Sequence, residues 1–340
     1  MTVPDGSTTP SLSVVRTALA LACRAPSVHN TQPWHWVFDG SKLLLYRDTT
    51  RQLPAGDPQY RQSIISCGAA LDHARQAFVS MGWFAHITRI PQPGCPELLA
   101  ALRFRPWSGP LNRTAARVRA IPRRHTDRLP MLPPDHWPDV LATARELARP
   151  HQVVVDEITD GDRPRLAEAT RHITALRRYD TAYQDELHWW SGSSESRGIP
   201  ASALTSSAEA ARTPVGRAFP FAPYANRRSG LEDRSRLLLL SSVGDSFTQW
   251  LHTGEALSNI LLECTARGLA TCELTHLTEL TATRSVLAEL LSRPGAAQVV
   301  VRVGNAPDDT TVTASPRRPL SEVFDFQPEH PRNRTRDLMM

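Results

Sequence analysis

The sequence predicts an α+β fold organised around a central, mostly antiparallel sheet, and three observations carry that expectation. Helical and strand patterns are mixed along the 340 residues. Two short apolar runs, WHWVF and KLLLY, flank Asp39-Gly40, which is a hairpin signal. Two distant segments, SIISCGAALDHARQAFVSMGW and TGEALSNILLECTARGLAT, share a small-residue start, a buried helical pattern and a terminal glycine, the mark of a diverged internal duplication.

Taken in order, residues 1–11 are rich in Ser, Thr and Pro and read as a loose tail. Val14, Val15, Ala18, Leu19 and Ala22 then fall at helical spacing. Arg16 and Arg24 interrupt this run, so it reads as an amphipathic first helix rather than a signal peptide. The stretch APSVHNTQPW follows, and neither end can continue a helix, because each proline fixes its own φ and pushes the preceding residue toward extended geometry. After the hairpin, residues 63–83 read as a long buried helix ending near Gly82. Pro106, Gly109 and Pro110 break the pattern and mark an internal boundary.

Beyond it, the spacing predicts a helix near 135–148, a strand at VVVDEI and a helix from about 163 to 187. Residues 191–235 lose periodicity and are rich in Ser and Pro, with Trp189 and Trp190 just before them and Phe219, Phe221 and Tyr224 within. That stretch reads as a lid, with a disordered insertion as the alternative. SRLLLLSSV is then a strand, a helix stops at Gly268, AAQVVVRVGNAP is a final buried strand, and SPRRPLSEVF closes the fold.

The composition narrows the function. A hydrophobic content of 41% supports a real core, and no apolar stretch reaches the roughly 20 residues a membrane helix needs. The net charge is +5, yet Lys42 is the only lysine, so the positive side is arginine. Guanidinium forks suit bidentate contacts to phosphates or carboxylates, and their interspersion with acids argues against nucleic acid. Five cysteines without CxxC spacing argue against a zinc site and a disulfide framework, and fit a reducing cytoplasm. HExxH, GxSxG, the P-loop and GxGxxG are all missing.

Three pieces remain to be explained. Ser27, His29, Asn30, Thr31 and Gln32 give one turn more donors and acceptors than its own backbone needs. RRHTDR at 123–128 and SPRRPL at 315–320 each offer a cluster of guanidinium groups.

As a set and in this order, APSVHNTQPW, RRHTDR, the helix TGEALSNILLECTARGLAT and SPRRPL resemble the motifs of flavin-dependent nitroreductases. Their spacing is similar to that of the single-chain, internally duplicated Acg-like branch of actinobacteria, over about residues 12–328. The resemblance implies a nitroreductase-like α+β fold of two fused halves, at 12–110 and 115–330, mimicking the family's dimer. It implies one FMN per chain, because each motif occurs once.

It implies further that Ser27, Asn30 and Gln32 face the pyrimidine edge of the ring, while Arg123, Arg124, His125 and Arg128 join Arg317 and Arg318 at the phosphate. His125 stands where the family has serine. Leu274, Thr275 and His276 would bring backbone amides toward the ring, unless that strand is simply packed in the core. The implied activity is hydride transfer from NAD(P)H through FMN to a flat small-molecule acceptor, a nitroaromatic or a quinone, or the oxidation of a small metabolite. The alternative is a protein that sequesters FMN with little turnover. Further pairing of the chain into a homodimer is left open.

Overall fold

The computed structural model describes residues 8–111, 113–192, 197–220, 225–307 and 314–328. Phe221 and Tyr224 of the expected lid lie outside the described residues, as does most of the expected tail.

The first half opens with α1 (Leu12–Ala22), capped by the Ser11 side chain, which buries Val15, Ala18, Leu19 and Ala22. The hairpin β1 (Trp34–Phe38) and β2 (Lys42–Arg47) follows, turning at Gly40, whose φ of +96° is costly for any residue with a Cβ. Next come α2 (Arg61–Ser80), β3 (Trp83–Arg89) and β4 (Leu98–Pro106). The Asp57 carboxylate accepts from the amides of Gln62 and Ser63 and so satisfies the first turn of α2.

The second half contains α3 (Thr114–Ala120), α4 (Trp137–Ala148), β5 (Val153–Ile158), α5 (Arg163–Arg177), α6 (Thr181–Trp190) and α7 (Ser207–Ala211). It continues through β6 (Arg236–Ser242), α8 (Phe247–Ala266), β7 (Ala270–Leu274), α9 (Thr281–Ala288), β8 (Ala296–Gly304), α10 (Leu320–Val323) and β9 (Phe324–Phe326). The single helix expected at 163–187 is two, because the Asp180 side chain caps a new helix at the amide of Tyr183.

The expected central sheet is also two sheets. One has the order β3-β4-β2-β1-β9 and the other β5-β6-β8-β7. The second is antiparallel throughout; in the first only the β1–β9 pair is parallel, with Trp36 opposite Phe324. A strand from the end of the chain thus completes the sheet of the beginning. The apolar runs of β6 and β8 are buried on both faces: Leu238, Leu240, Val299 and Val301 pack toward α8, while Leu237, Leu239 and Val300 pack toward α5 and α9.

Between the sheets lie α2 and α8, each 20 residues long and almost wholly buried. They cross where Gly68 meets Gly254. Among the described residues, no helix is long and apolar enough to cross a membrane.

Candidate functional site

The polar turn folds as a short 3-10 segment, Val28–Asn30, in which His29, Asn30 and then Gln32 all hold left-handed backbone, with φ of 48°, 55° and 52°. Three non-glycine residues in that region within four positions store strain that must be compensated by contacts. The contacts are present. Ser27 Oγ accepts from the Gln32 amide at 3.0 Å, and Ser66 Oγ on α2 accepts from the Val28 amide at 3.1 Å. Asn30 Nδ2 donates to the carbonyls of Gly198 at 2.7 Å and Pro316 at 3.0 Å. The turn therefore ties together the middle and the end of the chain.

Two cavities open on either side of it. The smaller, about 380 Å³, is walled by Arg24, Asn30, Arg123, Arg124, His125 and Arg317. The larger, about 570 Å³, has an apolar floor from Ile65, Ala69, Leu257 and Leu274. Pro26, Ser27, Thr126, Arg128 and Ile199 line both, so the two form one continuous site.

The smaller cavity is a site for an anion. Arg317 makes no ion pair among the described residues; its guanidinium donates to Asn30 Oδ1 at 3.1 Å and to backbone carbonyls, including that of Arg24 at 3.2 Å. Burial, with the positive charges of Arg124 and Arg24, pushes its pKa down to about 9. Burial also lowers Arg124, although Glu273 lies 3.3 Å away. The buried Nε atoms of Arg24, Arg124 and Arg317 have no hydrogen-bond partner among the described residues. Arg24, Arg124 and Arg317 crowd three cations on one small cavity, and only Arg124 has a carboxylate partner among the described residues, which suits a dianion such as a phosphate monoester.

Of the residues singled out in the sequence, Ser27, Asn30, Arg123, Arg124, His125, Arg128, Leu274, Thr275 and Arg317 line the site. Three do not. Arg318 turns away, donating to Asp48 Oδ2 at 2.9 Å and to the Gln32 carbonyl at 3.2 Å, and pairs with Glu322, so its charge is already compensated. Gln32 is consumed by the same segment, its Oε1 accepting from the Arg318 amide at 2.9 Å. His276 is buried beneath the floor with Nε2 3.4 Å from Thr170 Oγ1, and burial drives it well below the usual histidine range. These three side chains therefore lie outside the lining of both cavities.

Two other wall residues, Arg217 and Glu273, carried no signal in the sequence, and Phe219 was visible there only as an aromatic of the aperiodic stretch. Arg217, in the aperiodic stretch, pairs with Glu279 and donates to the Tyr183 hydroxyl at 2.7 Å. Phe219 meets the His29 ring edge-on at 5.8 Å and lies 5.2 Å from the Arg128 guanidinium. Glu273 closes the junction, receiving Thr126 Oγ1 at 2.7 Å opposite its pair with Arg124. Each is an ordinary residue type that becomes informative only through its neighbours.

No protein-family model matches the chain. Among curated proteins it is 42% identical over 325 residues to "Putative NAD(P)H nitroreductase acg" of Mycobacterium tuberculosis, covering 95% of this chain and 98% of that one. It is 37% identical over 338 residues to a second protein of that organism, "Putative NAD(P)H nitroreductase Rv3131", covering 96% and 95%. Among solved structures, it resembles a "putative nitroreductase" from Anabaena variabilis at 9% identity and TM-score 0.47, covering 88% of this chain and 90% of that one. It also resembles the FMN-dependent nitroreductase NfnB from Mycobacterium smegmatis, solved with NADPH, at 19% identity and TM-score 0.41, covering 62% and 98%. With full-length relatives at 42% identity, the chain belongs to the Acg-like family of NAD(P)H nitroreductases.

Proposed function

We propose that this chain is an FMN-dependent NAD(P)H oxidoreductase that reduces a flat small-molecule acceptor, nitroaromatic or quinone-like. The observation that carries the reading is the junction of an arginine-rich pocket, with Glu273 as its single carboxylate counter-charge among the described residues, and a cavity with an apolar floor, which suit the two ends of a flavin mononucleotide. FMN, when bound, supplies the hydride chemistry between the nicotinamide and the acceptor.

The chain's own residues do the rest. Arg317, Arg124 and Arg24 hold the phosphate. Ser27 and Arg128, which face both cavities, would hold the group at the passage from its phosphate end to its ring end. Ile65, Ala69 and Leu257 offer a flat apolar floor and keep water from beneath it.

We infer that the halves act as a fused pair holding one flavin, with α2 and α8 as the pairing helices. We also read residues 191–235 as a lid. In support, Ile199, Thr205, Ala210, Thr213 and Phe219 wall the larger cavity, and Glu209 ties the segment together through Arg227.

That clasp favours a second reading, in which the chain retains FMN behind the lid with little turnover. Anaerobic mixing of FMN-loaded protein with NADPH and with NADH separates the two. Rapid bleaching of the flavin absorbance is expected for the oxidoreductase, whereas bleaching no faster than that of a bystander flavoprotein would leave retention as the function.

A further inference from the structure

We propose that the mouth of the smaller cavity binds a second oxyanion of the phosphate class, beside the flavin's own phosphate and with Arg123 as its principal ligand. This rests on the flavin-site reading above and adds a ligand to it.

The cavity has two ends. Pro26, Ser27, Thr126, Arg128 and Ile199, shared with the larger cavity, form the inner one. Pro122, Arg123 and Ala314 are exposed and form the mouth. Arg124 is buried and held by Glu273 at 3.3 Å, while Arg317 is held by Asn30 Oδ1 at 3.1 Å and the Arg24 carbonyl at 3.2 Å. A phosphate that reaches the cavity from the inner end is taken up by this fixed pair, and Arg123 is left over.

Charge and room both exceed what one phosphate uses. Arg24, Arg123, Arg128 and Arg317 line the cavity with no carboxylate partner among the described residues; the carboxylate that does pair with a lining arginine is Glu273, on Arg124. A phosphate monoester brings about two negative charges, so about two of the guanidinium charges stay uncompensated when it is bound. At about 380 Å³ the cavity is by itself within the range of roughly 300–1,000 Å³ that whole small-molecule ligands occupy, whereas only the phosphate-bearing tail of the flavin enters it.

Two groups at the mouth suit an anion. The Arg123 guanidinium has no hydrogen bond or ion pair among the described residues, and the Arg123 carbonyl accepts from His125 Nδ1 at 3.0 Å. Because a carbonyl can only accept, the proton of a neutral His125 ring sits on Nδ1, and Nε2 is left to accept from the hydroxyl of a monoprotonated phosphate. Guanidinium donors for the oxygens and an imidazole acceptor for the P–OH are complementary to that anion.

Two sources offer the chemistry, free orthophosphate and the distal phosphoryl group of FAD. FAD spreads over its pyrophosphate the charge that FMN carries on one phosphate, so it leaves the surplus where it was. The free anion removes the surplus, and the charge balance favours that source.

Calorimetric titration of the full chain loaded with FMN, with phosphate against chloride at equal ionic strength, reads the site directly. The wild type should bind one orthophosphate per chain, and Arg123→Ala should weaken it about tenfold or more, the loss of one charge-assisted hydrogen bond. Arg123→Lys, which keeps the charge, should retain part of the affinity. FMN affinity, followed by flavin fluorescence, should change by no more than about threefold in Arg123→Ala, the effect of one exposed charge. If orthophosphate does not bind but FAD does, with FAD weakened about tenfold by Arg123→Ala and FMN spared, the second phosphoryl group belongs to the cofactor and the site stands. No orthophosphate binding together with equal effects on FAD and FMN overturns the proposal. Orthophosphate binding that Arg123→Ala leaves unchanged overturns it too, as does a loss of FMN as large as that of orthophosphate, because Arg123 then serves the flavin's phosphate. If the wild-type chain binds no FMN, the flavin reading has failed, and titration of the flavin-free chain with pyrophosphate decides the mouth on its own: binding lost in Arg123→Ala supports it, and absent or unchanged binding overturns it.

Discussion

Gly68 on α2 and Gly254 on α8 touch backbone to backbone. A Cβ added to Gly254 would lie 1.9 Å from the Ile65 carbonyl oxygen and 2.8 Å from the Gly68 Cα; one added to Gly68 would lie 2.2 Å from the Leu251 carbonyl oxygen. These are main-chain atoms and cannot rotate away, so the helices would have to separate. Gly254→Ala should therefore destabilise the fold by at least the 1–3 kcal/mol of ordinary overpacking, about the same for Gly68→Ala. Urea midpoints measure it; an unchanged midpoint in either variant would show that the crossing has slack.

The two arginines of SPRRPL should behave differently. Arg317 faces the anion pocket without a carboxylate partner, whereas Arg318 is bound to Asp48 and Glu322. Arg317→Ala should cost FMN about 1.5–3 kcal/mol of affinity, roughly tenfold to a hundredfold, and leave riboflavin, which lacks the phosphate, much less affected. Arg318→Ala should weaken FMN and riboflavin together, by loosening the Gln32 segment. FMN released from the wild-type protein should approach one per chain; a ratio near two would rule out the fused-pair account.

Much of this was legible in the sequence, for identifiable reasons. The hairpin, α2, β6, α8 and β8 follow from apolar spacing and turn chemistry, which are local. The strained turn announced itself through its prolines and its surplus of polar side chains. The parting of Arg317 from Arg318 was not legible, because adjacent side chains on extended backbone point to opposite sides and only the tertiary fold says which side is the pocket. Nor was the pairing of β9 with β1, nearly 290 residues apart, since a three-residue strand has no period to read. The order of residues 197–220 was not legible for a related reason: it comes from buried polar contacts rather than an apolar period, with Glu209 wholly buried and Arg212 donating to the carbonyls of Arg227 and Leu231.

Acid should destabilise the protein through buried histidines. His73 on α2 is fully buried, and burial holds its pKa down at about 3, against 6.5 when exposed. Between those values the unfolded chain binds a proton that the folded chain refuses. Stability from this residue is intact above pH 6.5 and falls as the pH drops toward 3, at about 1.4 kcal/mol per pH unit. In His73→Leu, the difference in stability between pH 7 and pH 5 should shrink by about 2 kcal/mol on the same linkage. His29 and His276, held low by the same cause, keep the remaining slope from vanishing. Urea titrations at the two pH values give the answer, and an identical difference in both proteins would mean that the folded chain takes up a proton at His73 as readily as the unfolded one.

The lid is testable through Glu209. This side chain is buried in a capping box, with Oε2 receiving the Ser206 amide at 2.9 Å and Oε1 receiving the Arg227 amide at 2.7 Å, while the Arg227 guanidinium closes on both oxygens at 2.9 Å. Hydrogen bonds to charged groups contribute about 1.5–3 kcal/mol each, and a carboxamide can neither accept at both positions nor balance the guanidinium. Glu209→Gln should therefore loosen residues 197–220 without touching the arginine pocket, none of whose ligands contacts Glu209. FMN content should stay near that of the wild type, while quenching of the bound flavin by iodide and cleavage by trypsin after Arg197 or Arg212 both rise. Turnover then separates the two functional readings. Loss of acceptor reduction means that the closed segment organises the substrate, and a gain in indiscriminate reduction means that it had been holding the flavin out of reach. If quenching, cleavage and turnover all match the wild type, these residues are a fixed wall and the gating idea fails.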